Sequence, residues 1–114
     1  MSTNQISKGK VLAGSLAFRN DGTASVHGIY HATATVDVAS MLTDAEADVA
    51  ITITGVAVGD LVLIEPVDLA EGVALVSAAA RCSADTATVT VLNTSSGTVN
   101  PASATWRYTW FDLT

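Results

Sequence analysis

Across residues 49–111, apolar positions alternate with threonines and other small polar residues, and Gly, Asp, Asn and Pro cut the runs at turn-like places. A period of two is the mark of half-buried β-strands, because successive side chains leave a strand on opposite faces. Val49, Ile51 and Ile53 fall on one face of a strand, with Ala50, Thr52 and Thr54 on the other. Residues 55–59, bounded by Gly55 and Gly59, break it. Leu61-Val62-Leu63-Ile64 follows, apolar at every position, a pattern expected of a strand covered on both sides. Pro66 ends that run, since it has no N–H to give to a ladder. These two strands are expected to form the centre of the fold. Thr86–Asn93 and residues 104–111 alternate most cleanly of all, joined by a loop over 94–103 rich in Ser, Gly, Asn and Pro.

The remaining segments fit the same class. Residues 1–10 are polar and aperiodic and read as a flexible N-terminal arm, while 11–19 (VLAGSLAFR) read as a strand. Asn20-Asp21-Gly22 is a hairpin signal, because Asn and Gly tolerate the positive φ of a tight turn. Thr33 to Val38 alternates again. In residues 39–48, Thr43 and Glu46 have capping-box spacing, yet period two resumes at once, so a loop or a single helical turn is expected. Residues 73–82 are ambiguous: Leu69, Val73, Val76 and Ala80 would share a helix face, but Gly72 and the β-like flanks favour a strand. The total is about eight short antiparallel strands, an all-β domain of the β-sandwich or jelly-roll kind spanning 11–114.

Composition sharpens this. The 114 residues suit one domain. They are 49% apolar and only 14% charged, with Ala and Val in place of bulky residues, so the layers should be thin and oligomerisation would help. A net charge of −6 argues against a nucleic-acid partner, since phosphate binding needs clustered cations. The five basic residues, Lys8, Lys10, Arg19, Arg81 and Arg107, are scattered. No apolar run approaches the ~20 residues of a membrane helix. The polar N-terminus lacks the apolar core of a secretion signal, so assembly inside a cell is expected. Cys82, the single cysteine, has no internal disulfide partner and reads as a small filler.

Candidate chemistry is sparse. His27 and His31 flank a glycine in a β-like context, where four residues at ~3.3 Å each put the rings about 13 Å apart, too far to share an ion. Asp44, Glu46 and Asp48 imitate the start of a calcium loop, but Val49 and Gly55 stand where its Gly and closing Glu belong. Asn93-Thr94-Ser95 spells a glycosylation acceptor. No nucleophile elbow or phosphate loop occurs. The expectation is no enzyme, no cofactor and no metal. Trp106, Tyr108 and Trp110 share one face of the last strand. They read as the core's aromatic layer, as an interface with another subunit (Trp110 above all), or as a sugar-stacking platform.

Ile53-Thr54-Gly55-Val56-Ala57-Val58-Gly59-Asp60, the apolar strand ending at Pro66, the Gly turn within 69–76, Ser83 to Asn93 and Asn100-Pro101-Ala102-Ser103-Ala104-Thr105-Trp106-Arg107 resemble small virion proteins of tailed bacteriophages. The resemblance runs from Val36 onward and rests on turn and strand patterns. It implies a trimeric β-sandwich decoration (cement) protein that is assembled in the host cytoplasm, sits on the head surface, binds the major capsid protein and bridges its subunits. It implies no catalytic residues. Lys8 and Lys10 in the arm, with Trp106, Tyr108 and Trp110, are the candidates for subunit or capsid contact. A receptor- or carbohydrate-binding module of a phage fibre or spike is the alternative.

Overall fold

The computed structural model describes residues 26–114, which form seven strands and contain no helix. The expected arm with Lys8 and Lys10, the strand over 11–19 and the Asn20-Asp21-Gly22 turn lie outside the described residues. The strands are β1 (Gly28–Val36), β2 (Glu46–Thr52), β3 (Leu61–Pro66), β4 (Val73–Leu75), β5 (Arg81–Ser83), β6 (Thr86–Asn93) and β7 (Ala104–Asp112). They make two antiparallel sheets, β1-β7-β3 and β2-β6-β4, with β5 also on β6. The domain is therefore a small all-β sandwich.

The alternation of β6 and β7 produces the core. β6 turns Ala87, Val89, Val91 and Asn93 inward and its threonines outward. β7 turns in Trp106 and Trp110, which supply the volume that a core of Val and Ala otherwise lacks. Trp106 lies in register between Ala34 and Pro66, and Tyr108 between Ala32 and Ile64, so small residues on β1 leave room for large ones on β7.

Two expectations need correction. Val49–Ile53 and Leu61–Ile64 are not the centre of the fold: β2 and β3 belong to different sheets and each is an outer strand, while β6 and β7 occupy the middle. Nor is Leu61–Ile64 covered on both sides by the described chain. Val62 and Ile64 are buried, but Leu63 is 39% exposed on the opposite face. Residues 39–45 are a loop, pinned by a Met41–Val99 bridge and turned at Asp44, whose φ is 61°. Thr43 caps no helix there, and Glu46 opens β2.

Of residues 73–82, expected as a strand, only the two ends are strand: 73–75 belong to β4 and 81–82 to β5. β4 and β5 lie along the same edge of β6, and between them the chain leaves that edge. Ile64 N–H donates to Ala78 C=O and Ala80 N–H to Val62 C=O, both at 2.9 Å. This excursion stitches the edge of one sheet to the other.

Candidate interaction surface

Three polar clusters gather chemistry-bearing side chains, and in each the groups brace the fold. Asp60, 9% exposed, accepts the Trp110 indole N–H and the Ala57 N–H on Oδ2, each at 3.1 Å. Its Oδ1 accepts the Leu113 N–H and the Thr114 hydroxyl, each at 2.9 Å. Burial pushes this carboxyl's pKa up, but the four donated hydrogen bonds outweigh it and hold the group below its ordinary 3.8. Asn93, fully buried, donates from Nδ2 to the carbonyls of Met41, Leu42 and Gly97 and accepts Ser95 N–H and hydroxyl on Oδ1. An amide so engaged has no free nitrogen to accept a glycan in the folded chain. On the outer face of the second sheet, Asp48 accepts the Thr90 hydroxyl at 2.7 Å and faces Arg81 at 3.3 Å. The Thr90 hydrogen bond draws its carboxyl below the usual range against desolvation, with Arg81 adding to the fall.

The sequence-predicted residues fall as follows. Trp106 and Trp110 are 2% and 8% exposed, so neither presents a ring face to solvent. Tyr108 is half-buried against the core. Tyr30 stacks on Trp110 with ring centroids 4.6 Å apart and remains 49% exposed, a rigidly backed aromatic that the sequence reading passed over. His27 and His31 are exposed, and His31 Nδ1 is hydrogen-bonded to Thr109 Oγ1 at 3.0 Å. No group of three potential metal ligands occurs among the described residues. Burial, reinforced by the charge of Asp60, pushes the Cys82 thiol up, which keeps it protonated and a poor nucleophile.

The surface least explained by bracing is the outer face of β1-β7-β3. Register sets its side chains in rows across the three strands. Ile29, Phe111 and Leu61 make an apolar row; His31, Thr109 and Leu63 the next; Thr33, Arg107 and Glu65 a third. Ile29 is 43% exposed, and Arg107 Nη2 sits 2.6 Å from Glu65 Oε1. A depression of about 390 Å³ opens on this face between Arg107, Glu65, His31 and Ala78. The uninterrupted Leu61–Ile64 run was the signal for it, since such a run asks for cover on both faces.

Comparison with protein-family models, curated proteins and solved structures finds no match to this chain.

Proposed function

We propose that this is a structural virion protein, a capsid decoration protein that binds the outside of a phage head as a small homo-oligomer and bridges major capsid subunits. The observation that carries the reading is a division of labour among side chains. Asp60 and Asn93 are spent on internal bracing, whereas Ile29, Leu63 and Tyr30 are displayed on the surface. A protein whose task is contact needs the second set and no reactive members of the first. The strand-and-turn resemblance from Val36 onward supplies the class of partner, and an acidic exterior suits a surface facing solvent rather than packaged DNA. Many modest contacts on one shell would act together, so retention would come from multivalency.

The test is co-sedimentation of the purified protein with shells of the same virus's major capsid protein assembled without it. Saturable binding at a fixed ratio to capsid subunits, with a shell more resistant to heat, is the expected result. Absence of binding to intact shells at tens of micromolar protein would sink it. A carbohydrate-binding module is the second reading, favoured by the exposed Tyr30 ring backed by Trp110. It predicts a change in tryptophan emission on titration with host glycans, which the decoration reading does not.

A further inference from the structure

We infer that the outer face of β1-β7-β3 is a self-association surface that pairs two copies of this chain about a two-fold axis. Three observations lead there. The Leu61–Ile64 run is patterned for burial on both sides, yet the described chain covers only Val62 and Ile64, leaving Leu63 and Ile29 open on the other face. Charge then selects the partner. Of the five basic residues only Arg81 and Arg107 lie after position 25, while all of the eleven carboxylate residues but Asp21 do. Most of the described surface therefore repels another copy. The outer face of β1-β7-β3 is an exception, because its strand residues carry one cation and one anion, Arg107 and Glu65, with the rest apolar, hydroxyl or imidazole.

The third observation is geometric. A two-fold axis lying between two stacked faces and running along the strands, midway between β7 and β3, keeps every row opposite itself. The row of Phe111 and Leu61 meets its own copy, and Arg107 of each chain stands over Glu65 of the other. The face is thus complementary to itself in both apolarity and charge, as an isologous contact requires. About that axis β7 and β3 overlap while β1 lies outside them, and two strands ~4.8 Å apart with three shared side-chain rows ~6.8 Å apart give a footprint on the order of 200 Å² per copy, far below the ~800 Å² of a standard interface, so pairing is weak and concentration-dependent. The phage resemblance implies three copies; this face is built for two.

Charge exchange tests the pairing on the full chain. Arg107→Glu leaves two anions on the face and Glu65→Arg leaves two cations; at 47% and 63% side-chain exposure both substitutions should be tolerated by the fold, which circular dichroism would check. Light scattering over a dilution series is expected to show a dimer for the unaltered chain and monomers for each variant alone, with association weakened on the order of tenfold. An equimolar mixture of the two variants should recover the dimer mass. A monomeric unaltered chain, a dilution-resistant trimer, variants that keep the original mass, or a mixture that stays monomeric would each overturn the inference. If the chain's own N-terminal residues cover the face instead, mass will not respond to these substitutions. Shell binding is read separately, so failure of the pairing and failure of the decoration reading are distinguishable.

Discussion

At the level of single residues, the polar side chains that matter most are those whose partners are remote. Asp60 follows Gly59 at the end of a turn and reads in the sequence only as a turn former. Its role depends on Trp110, Leu113 and Thr114, which are brought to it by the pairing of β3 with β7. Nothing local announces such a contact; alternation predicts which face a residue occupies but not which distant donor it meets. Asp60→Asn keeps the shape and loses the charge that attracts four donors, so it should destabilise the fold by about 1–3 kcal/mol at pH 7. The pH dependence carries the sign. Because the folded pKa lies below 3.8, the stabilisation is complete above that value and is lost as pH falls through the depressed one. Chemical denaturation between pH 3 and 7 should therefore show the unaltered chain losing ground to Asp60→Asn at the acid end. Parallel curves would mean the carboxylate contributes no charge-dependent stability.

At the level of elements, the sequence was most legible where one face is buried and the other wet. Val49, Ile51 and Ile53 point inward, and β6 begins and ends where the alternation does. It was least legible where strands are short or change partner. Residues 73–82 serve β6 at both ends and β3 in the middle, and no single period describes a segment that belongs to two sheets. The 55–59 turn was placed correctly, and its geometry shows why glycine is there. Gly55 has φ 101°, and a Cβ at that position would stand 2.9 Å from Cη2 of the buried Trp110. Gly55→Ala thus combines backbone strain with displacement of an indole that cannot swing away, and should cost about 1–3 kcal/mol. Gly97→Ala is the matched comparison: a Cβ there meets nothing within 4 Å, and stability should shift by no more than about 0.5 kcal/mol. Equal midpoints for the two variants in urea would contradict the close approach at Trp110.

At the scale of the whole molecule, two electrostatic effects oppose one another when copies meet. Each chain carries a net −6, so approach is resisted over the whole surface, while the exchanged Arg107–Glu65 contacts attract only at short range. Exposed ion pairs are worth at most about 1 kcal/mol and are themselves weakened by salt. Repulsion between two strongly acidic bodies is the longer-ranged effect. Raising ionic strength from 0.01 to 0.15 M shortens the screening length from roughly 30 to 8 Å, which removes much of that repulsion and leaves the apolar row of Phe111 and Leu61 undiminished. Salt should therefore strengthen self-association, opposite to the behaviour of a complex held by complementary charge. Lowering pH from 7 toward the isoelectric point near 4.4 should act in the same direction by reducing the net charge, until the loss of the Asp60 carboxylate below 3.8 begins to weaken the fold itself. Sedimentation velocity at several salt concentrations and fixed protein would read this directly. Dissociation on adding salt would mean that the contact is dominated by opposite charges rather than by apolar rows, and the apolar half of the pairing argument would fall with it.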